Sequence, residues 1–455
     1  MSSLRISGRS GSRYLRWGLI VLPVIIPVLF LQIYFSGNWY AITHPYSLAM
    51  VFGLFSYSMF CIILIMSTRV RLLDRLFGHD RILRIHGYFA FLSISSAVIH
   101  YLLKSGYLEK NDLQSAIGMV CLVIFLTVML ITITLMTSGL PFTVPLLSSV
   151  RSTASKRFGI DYSFIKLLHN IFSLAVVFLL IHVFIASSTQ ESLPRMSFIG
   201  IIGGAALIRY LFHKFIRPYS NRKTGYTLVN VDNPSDNIVR LTAATHSGKK
   251  VSFLPGQFCY LKIPSKETGN EEHPFTLSSA SEDPDIQITV KKLGNYTSQL
   301  VNIRKSTPVV LDGPYGTFTP SADGHKKVFI AGGIGITPFR SILASWFNSK
   351  EDIPETVLLW SVKRASDLID VSFFEKTADE CSWFSFIPIL TRERNEKYGH
   401  GRITPEQIAD VCASSTGVVP DIYLCGPASM IRHLYRQCRL RGVPRKNIHF
   451  ELFSF

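Results

Sequence analysis

The stretch ILRIHGYFAFLSISSAVIHYLL, residues 82–103, decides how the chain is read, together with a second apolar run at 164–186, FIKLLHNIFSLAVVFLLIHVFIA. Each is long enough to cross a hydrocarbon layer of about 30 Å as a helix rising about 1.5 Å per residue. Each also keeps two imidazoles inside its apolar run, His86 and His100 in the first and His169 and His182 in the second. Titratable groups in that setting are costly and call for a purpose.

The spacing suggests one. His86 and His100 are fourteen positions apart and His169 and His182 thirteen, so parallel helices would carry the pairs roughly 21 Å and 20 Å apart along their axes. Two rungs result, each with one neutral imidazole from either side, the arrangement in which an iron porphyrin takes two axial nitrogens. On an ideal helix fourteen residues return to within about 40° of the starting face, whereas thirteen miss it by about 140°. The second helix is therefore expected to be distorted, or its haems to be set to either side. Four packed histidines, each bonded to a backbone carbonyl, are the alternative, and they leave the matched pairs unexplained.

The 455 residues are too many for one ordinary domain, and the composition splits near residue 217. Apolar runs dominate before it; alternating apolar and polar residues with Gly and Pro punctuation follow. The net charge of +17 could suggest nucleic acid, but the basic residues fall at the ends of apolar runs. Arg5, Arg9, Arg13 and Arg16 precede the first run; Arg69, Arg71, Arg75, Arg81 and Arg84 follow the second. Arg151, Lys156 and Arg157 follow the fourth, and Lys214, Arg217, Arg222 and Lys223 the sixth. This positive-inside pattern predicts a multi-pass protein of the cell (inner) membrane with both termini in the cytoplasm, a lipid bilayer as partner and no nucleic acid. Seven cysteines without a CxxC pair argue against an iron-sulfur cluster or a structural zinc.

Six spans are expected, at 17–35, 47–67, 82–103, 116–138, 164–186 and 197–216, the first retained because no small-residue cleavage site follows it. After Arg217-Pro218, short strands at 226–231, 238–243, 257–263 and 286–292 predict an antiparallel β-barrel. From residue 326 strands alternate with helices (327–331, 337–346, 356–361, 372–376, 385–390, 422–424, 428–440), which predicts a doubly wound α/β domain. The expected organisation is a basic N-terminus at 1–16, an all-α six-helix transmembrane domain at 17–216, a barrel at 222–323 and a nucleotide-binding domain at 324–455.

Five motifs in order carry a resemblance: Pro255-Gly256-Gln257-Phe258, His273-Pro274-Phe275-Thr276-Leu277-Ser278-Ser279, Gly313-Pro314-Tyr315-Gly316, Gly332-Gly333-Ile334-Gly335-Ile336-Thr337-Pro338 and Leu424-Cys425-Gly426-Pro427. They resemble the markers of the ferredoxin-reductase-type flavoprotein module. With the four histidines in front, the chain from about residue 47 onward resembles the ferric reductase and NADPH oxidase family, as a bacterial member. Alone, each motif would read as a surface turn.

Physically, 273–279 offers hydroxyls and amides suited to a flavin's ribityl and pyrophosphate groups, and the resemblance implies that Thr276 bonds the flavin ring. Lys291, Gly294, Tyr296 and Thr297, in VKKLGNYT, supply a cation, a close-approach glycine and hydroxyls for the diphosphate. Gly332, Gly333 and Gly335 stand between a strand and a helix starting near Thr337-Pro338, so amides and helix dipole face an anion; the family places the pyridine nucleotide's pyrophosphate there. Arg364 and Arg392, each following a strand, are candidates for the 2'-phosphate and favour NADPH over NADH. The resemblance further implies that the terminal Phe455 stacks on the flavin ring, with Cys425 and Glu451 beside the nicotinamide and Gly426 and Pro427 in the same turn.

The expected activity is transfer of electrons from NAD(P)H through FAD and two b-type haems, one between His86 and His169 and one between His100 and His182, to an acceptor on the outer face. Ferric chelates, oxygen, a quinone and a protein partner stay open as acceptors. Animal oxidases of the family carry an arginine in the second span and a histidine one turn beyond the outer ligand; here the span has no charge and Lys104 stands at that turn. The rival reading is a cytochrome b-type subunit that delivers electrons to a partner.

Overall fold

A computed structural model describes residues 9–35, 43–107, 113–135, 168–170, 175–222, 225–246, 248, 250–349, 352–412 and 418–452. The chain forms two compact units, Met1–Arg217 and Pro218–Phe455.

The first unit is helical: α1 (Arg9–Phe35), α2 (Pro45–Met66), α3 (His79–Lys104), α4 (Leu113–Leu135), α5 (Ala175–Phe184) and α6 (Leu193–Leu211) are its longer elements. Among the described residues four helical stretches are long and apolar enough to cross a bilayer, Pro45–Met66, Arg81–Lys104, Leu113–Thr134 and Leu193–Asn221. The first and fifth predicted spans correspond to shorter apolar stretches, Val21–Ile33 and Leu168–Phe184. Residues 171–174, where the thirteen-residue spacing asks for distortion, lie outside the described residues. Large apolar side chains such as Val24, Leu130, Ile201 and Ile208 face outward, a surface that an apolar solvent suits far better than water.

Helix α2 is the enclosed one, and its ends show why it starts and stops where it does. Pro45 occupies the first turn, where a missing N–H costs nothing, and the His44 ring accepts from Tyr46 N at 3.2 Å. Beyond its last turn, Arg209 and Arg217 donate to the Thr68 carbonyl at 3.3 and 3.4 Å, and Arg217 also to that of Arg69 at 3.2 Å, cations where a helix carries its negative end. Tyr57, in the middle, donates to the Ile199 carbonyl of α6 at 2.9 Å. A Cβ at Gly203 would fall 2.1 Å from that hydroxyl, so only glycine admits the close approach.

The second unit begins with six strands, β1 (Tyr226–Ser235), β2 (Ile238–Thr245), β3 (Phe258–Lys262), β4 (Glu272–Thr276), β5 (Ile286–Lys291) and β6 (Pro308–Tyr315), ordered β4-β3-β6-β1-β2-β5 with antiparallel pairing. A parallel sheet follows, formed by β7 (Lys327–Gly332), β8 (Thr356–Val362), β9 (Phe384–Leu390), β10 (Gly399–His400), β11 (Asp421–Gly426) and β12 (Ile448–Leu452), ordered β10-β9-β8-β7-β11-β12. Helices α7 (Thr337–Phe347), α8 (Val371–Glu380) and α9 (Ala428–Leu440) connect its strands. Strands β6, β10 and β12 and a helix at Pro405–Cys412 were not predicted; β6 opens on proline and closes on Gly-Pro-Tyr, which reads locally as turn.

Every residue of β7 is buried, as a central parallel strand covered on both faces requires. Its one cation, Lys327, is fully buried and lies between Asp323 at 2.5 Å and Asp421 at 2.9 Å. The chain runs outward from β7 through β8 and β9, then returns to β11 on the other side. The crevice between the carboxyl ends of β7 and β11 is thus the topological switch point, where such sheets hold ligands.

Candidate functional site

Helices α2 and α3 pack in a seven-residue register. The His100 Nδ1 lies 2.6 Å from the Ala49 carbonyl, Ser93 Oγ donates to the Ser56 carbonyl at 2.9 Å, and the Ile63 backbone is the hydrogen-bond partner of His86. Positions 49, 56 and 63 on one helix thus meet 100, 93 and 86 on the other, the repeat of knobs-into-holes packing. Helix α4 makes contacts with the other two histidines: His182 Nδ1 lies 2.9 Å from the Gln114 carbonyl, and His169 Nδ1 3.5 Å from the Thr132 hydroxyl oxygen. A carbonyl acceptor fixes the proton on Nδ1, and the tautomer so fixed carries its lone pair on Nε2, the form in which imidazole binds a metal.

His86 and His169 have ring centres 6.5 Å apart with planes inclined at 59°, and His100 and His182 lie within electrostatic reach of each other. Two imidazole nitrogens each about 2.0 Å from one shared metal, with ring centres about 1.1 Å behind them, put the centres about 6.2 Å apart. The inner pair therefore fits bis-imidazole ligation. At the outer pair a Cβ on Gly53 would fall 2.7 Å from the His100 ring, and one on Gly118 2.6 Å from the His182 ring. Each outer imidazole is seated on a glycine of the neighbouring helix, a role that composition alone does not reveal.

In the antiparallel sheet domain, Gly256 has φ +92, and a Cβ there would lie 2.1 Å from the Phe318 carbonyl. This turn is joined to the third motif, because Gln257 Nε2 donates to the Gly316 carbonyl at 3.1 Å. His273 stacks on Tyr296 at 4.1 Å and bonds Glu271 at 2.7 Å; Phe275 is parallel to Tyr296 within 16°. Pro274 is a ladder residue opposite Tyr260. The hydroxyls of Thr276 and Tyr296 are buried with no hydrogen-bond partner among the described residues. Each such group costs about 1–3 kcal/mol unless something supplies a partner, so this cradle fits a polar ligand such as a flavin. Burial, with Glu271 and Glu272 nearby, pushes the Tyr296 phenol up and keeps it a donor.

Other residues predicted for this ligand are engaged elsewhere. Ser278 Oγ lies 2.9 Å from Thr289 Oγ1, and Ser279 Oγ accepts from Gln287 N at 3.2 Å. The Thr297 hydroxyl accepts from Leu293 N and Gly294 N at 2.9 and 3.0 Å and so caps its own short helix. Lys291 ends β5 half-buried.

At the switch point, a Cβ on Gly335 would fall 2.3 Å from the Cys425 carbonyl, and one on Gly426 3.0 Å from Gly332. The ends of β7 and β11 thus touch through backbone, with Pro427 against Gly332 and Thr337-Pro338 opening α7. Gly333 has φ +55 and nothing within 4 Å of a Cβ position. Its carbonyl accepts from Trp360 Nε1 at 2.9 Å. Trp360 is fully buried on β8. Since the peptide is planar and trans, the following N–H points the opposite way, away from Trp360. Trp360 thus fixes the orientation of one peptide in the glycine turn, a role with no motif to mark it. Cys425 is itself fully buried, in register with Glu451, whose carboxylate lies 3.7 Å from a Gly316 Cβ position. Phe455 lies outside the described residues.

Arg364 and Arg392 are exposed just beyond the carboxyl ends of the neighbouring strands β8 and β9, tied together by Arg392 N donating to the Lys363 carbonyl at 3.0 Å. Asp367 and Glu393 accept the Arg364 and Ala365 amides at 3.2 and 2.9 Å, so carboxylates share this edge.

Residues 223–319 match the model of the FAD-binding domain family, and residues 329–436 that of the oxidoreductase NAD-binding domain family. The chain is 27% identical over 233 residues to the 2-halobenzoate 1,2-dioxygenase electron transfer component of Burkholderia cepacia, covering 50% of this chain and 66% of that protein. It is 31% identical over 162 residues to a superoxide-generating NADPH oxidase heavy chain of Dictyostelium discoideum, covering 31% of this chain and 30% of that protein. The crystal structure of the Amycolatopsis cytochrome P450 reductase GcoB matches with a TM-score of 0.46 and 24% identity, over 51% of this chain and 69% of that one. The second unit is an FAD- and NAD-binding electron-transfer oxidoreductase module.

Proposed function

We propose that the chain is a transmembrane oxidoreductase that draws electrons from cytoplasmic NAD(P)H into FAD and delivers them, through two b-type haems, to a ferric chelate or molecular oxygen on the outer face. The observation that carries this reading is the union, in one chain, of an FAD- and NAD-binding module with two histidine pairs, the inner at 6.5 Å and the outer bonded at Nδ1 to backbone carbonyls.

In this reading His86 and His169 hold one iron and His100 and His182 the other. Thr276 and Tyr296 donate to the flavin, while the His273 and Phe275 rings wall its cradle. The amides of Gly332 to Gly335 and the start of α7 hold the nucleotide pyrophosphate, and Arg364 and Arg392 read the 2'-phosphate of NADPH. Cys425, Glu451 and Phe455 shape the nicotinamide position. FAD, once bound, takes two electrons as hydride and passes them on singly, and haem irons accept one each. The distribution of Arg and Lys supports a cell-membrane location with the module on the cytoplasmic side.

A second reading, a cytochrome b-type subunit that serves a partner protein or quinone, is favoured by the electron transfer component among the relatives. Full-length protein in detergent, given NADPH with a ferric chelate or oxygen and nothing else, separates the two. Ferrous iron or superoxide formed at steady state supports the first. Flavin and haem that reduce once and then stall until a partner is added support the second.

A further inference from the structure

Where the barrel meets the nucleotide domain, one carboxylate is shared by two arginines. Arg240, on β2, places Nη2 2.7 Å from Asp370 Oδ2, and Arg340, in the first turn of α7, places Nε 3.4 Å from the same oxygen. The three side chains are only 18%, 21% and 25% exposed for Arg240, Asp370 and Arg340, so solvent screens the contact weakly. The Arg340 guanidinium also lies over the Phe373 ring, 3.8 Å from its centre. Asp370 has φ +53, a left-handed backbone that few residues other than glycine and Asn or Asp accept, and it leads directly into α8.

The network reaches both ligand cradles. Arg240 Nε donates to Thr289 Oγ1 at 3.3 Å, and Thr289 bonds Ser278 at the exit of the strand that carries Thr276. Arg340 stands four residues after Ile336, on the helix that the glycine turn feeds. Along the same helix Ser341 Oγ donates to the Ser279 carbonyl at 2.6 Å, and Ser345 Oγ accepts from Ser281 N at 3.0 Å. These serine contacts are neutral and would hold at any charge state. The Asp370 contact is different: take away its charge and two guanidiniums aimed at one point are left facing each other, so attraction becomes repulsion.

We propose that Asp370 is a positioning residue that clamps the flavin barrel to the nucleotide domain through Arg240 and Arg340, setting the spacing at which nicotinamide and flavin react. Hydride transfer is sensitive to that spacing because the reacting atoms must approach to about 3–3.5 Å, and here each ring is held by a different domain. The inference rests on the reading that NAD(P)H reduces FAD in this module.

The test uses the full-length, FAD-loaded protein mixed with NADPH in a stopped-flow instrument, comparing the parent with Asp370→Asn and with the double variant Asp370→Asn/Arg240→Gln. The asparagine variant should lower the limiting rate of flavin reduction about tenfold or more, with nucleotide Kd within about threefold and flavin content unchanged. The double variant should be no slower than the single one, because both changes cut the same link, whereas two independent structural losses would add. An asparagine variant that reduces its flavin as fast as the parent, or that loses its flavin, overturns the proposal. So does a double variant clearly slower than the single one. Parent protein whose flavin NADPH does not reduce would instead show that the functional reading itself is wrong.

Discussion

A Cβ on Gly53 would stand 2.7 Å from Nδ1 of His100, the atom that the Ala49 carbonyl holds at 2.6 Å. The imidazole thus fills the space a side chain would need, and its tautomer and its seat are set by one neighbouring helix. Gly53→Val should therefore displace His100 and lower the haem content by one per chain. Gly204→Ala, where nothing lies within 4 Å of the new carbon, should leave both haems in place. Equal haem contents and spectra for the two variants would show that Gly53 is not a seat.

Trp360→Phe removes the donor to the Gly333 carbonyl and keeps an aromatic ring in the core. Loss of one such part-buried bond costs about 1 kcal/mol, so the dissociation constant for the pyridine nucleotide should rise about fivefold. FAD content and the haem spectrum should not change. Titration of the purified protein with nucleotide measures it, and an unchanged constant would show that the turn needs no aiming.

Arg392→Ala should weaken NADPH far more than NADH, because one charge-assisted contact to a phosphate contributes about 1.5–3 kcal/mol. Steady-state kinetics with both nucleotides decides it. Equal effects would turn the preference toward NADH, for which the carboxylates of Asp367 and Glu393 at the same edge are the better partners.

Acid should loosen the nucleotide domain at Lys327. Partial burial works to raise the Asp323 carboxyl, but hydrogen bonds from Lys327 and Ser321 outweigh it and bring its pKa down to about 2. A folded-state value below the unfolded one means that the contribution is complete above about pH 4 and lost as pH falls toward 2. Asp323→Asn should melt below the parent at pH 6, and the gap should close between pH 4 and 2. Parallel melting curves across that range would contradict the assignment.

The sequence is most readable where a property repeats at the period of an element. Alternation over 226–243 and 286–292 announced the antiparallel strands, and a continuous apolar run announced the helix that carries His86 and His100. The seven-residue recurrence of His86, Ser93 and His100 was also there to be read, and it matches the spacing of Ala49, Ser56 and Ile63 on the facing helix. The partners of the histidines left no trace, because three of them are backbone carbonyls and any residue type supplies one. Trp360 lay hidden in an ordinary buried strand. Asp370 meets Arg240 from 130 positions away, a distance at which no local pattern speaks. Strand β6 was obscured by its own ends, Pro308 and Gly313-Pro314-Tyr315, which carry turn chemistry.

The central claim is that one chain joins a nicotinamide-driven flavin to two bis-histidine haems. It is tested most directly by measuring the haem-to-chain ratio of purified full-length protein, together with its anaerobic absorption spectrum before and after NADPH. The account predicts two low-spin, six-coordinate b-type haems per chain, both reduced by NADPH, with one lost in His100→Ala while its flavin is still reduced. Zero or one haem in the intact protein, or two haems that NADPH leaves oxidised, would contradict it.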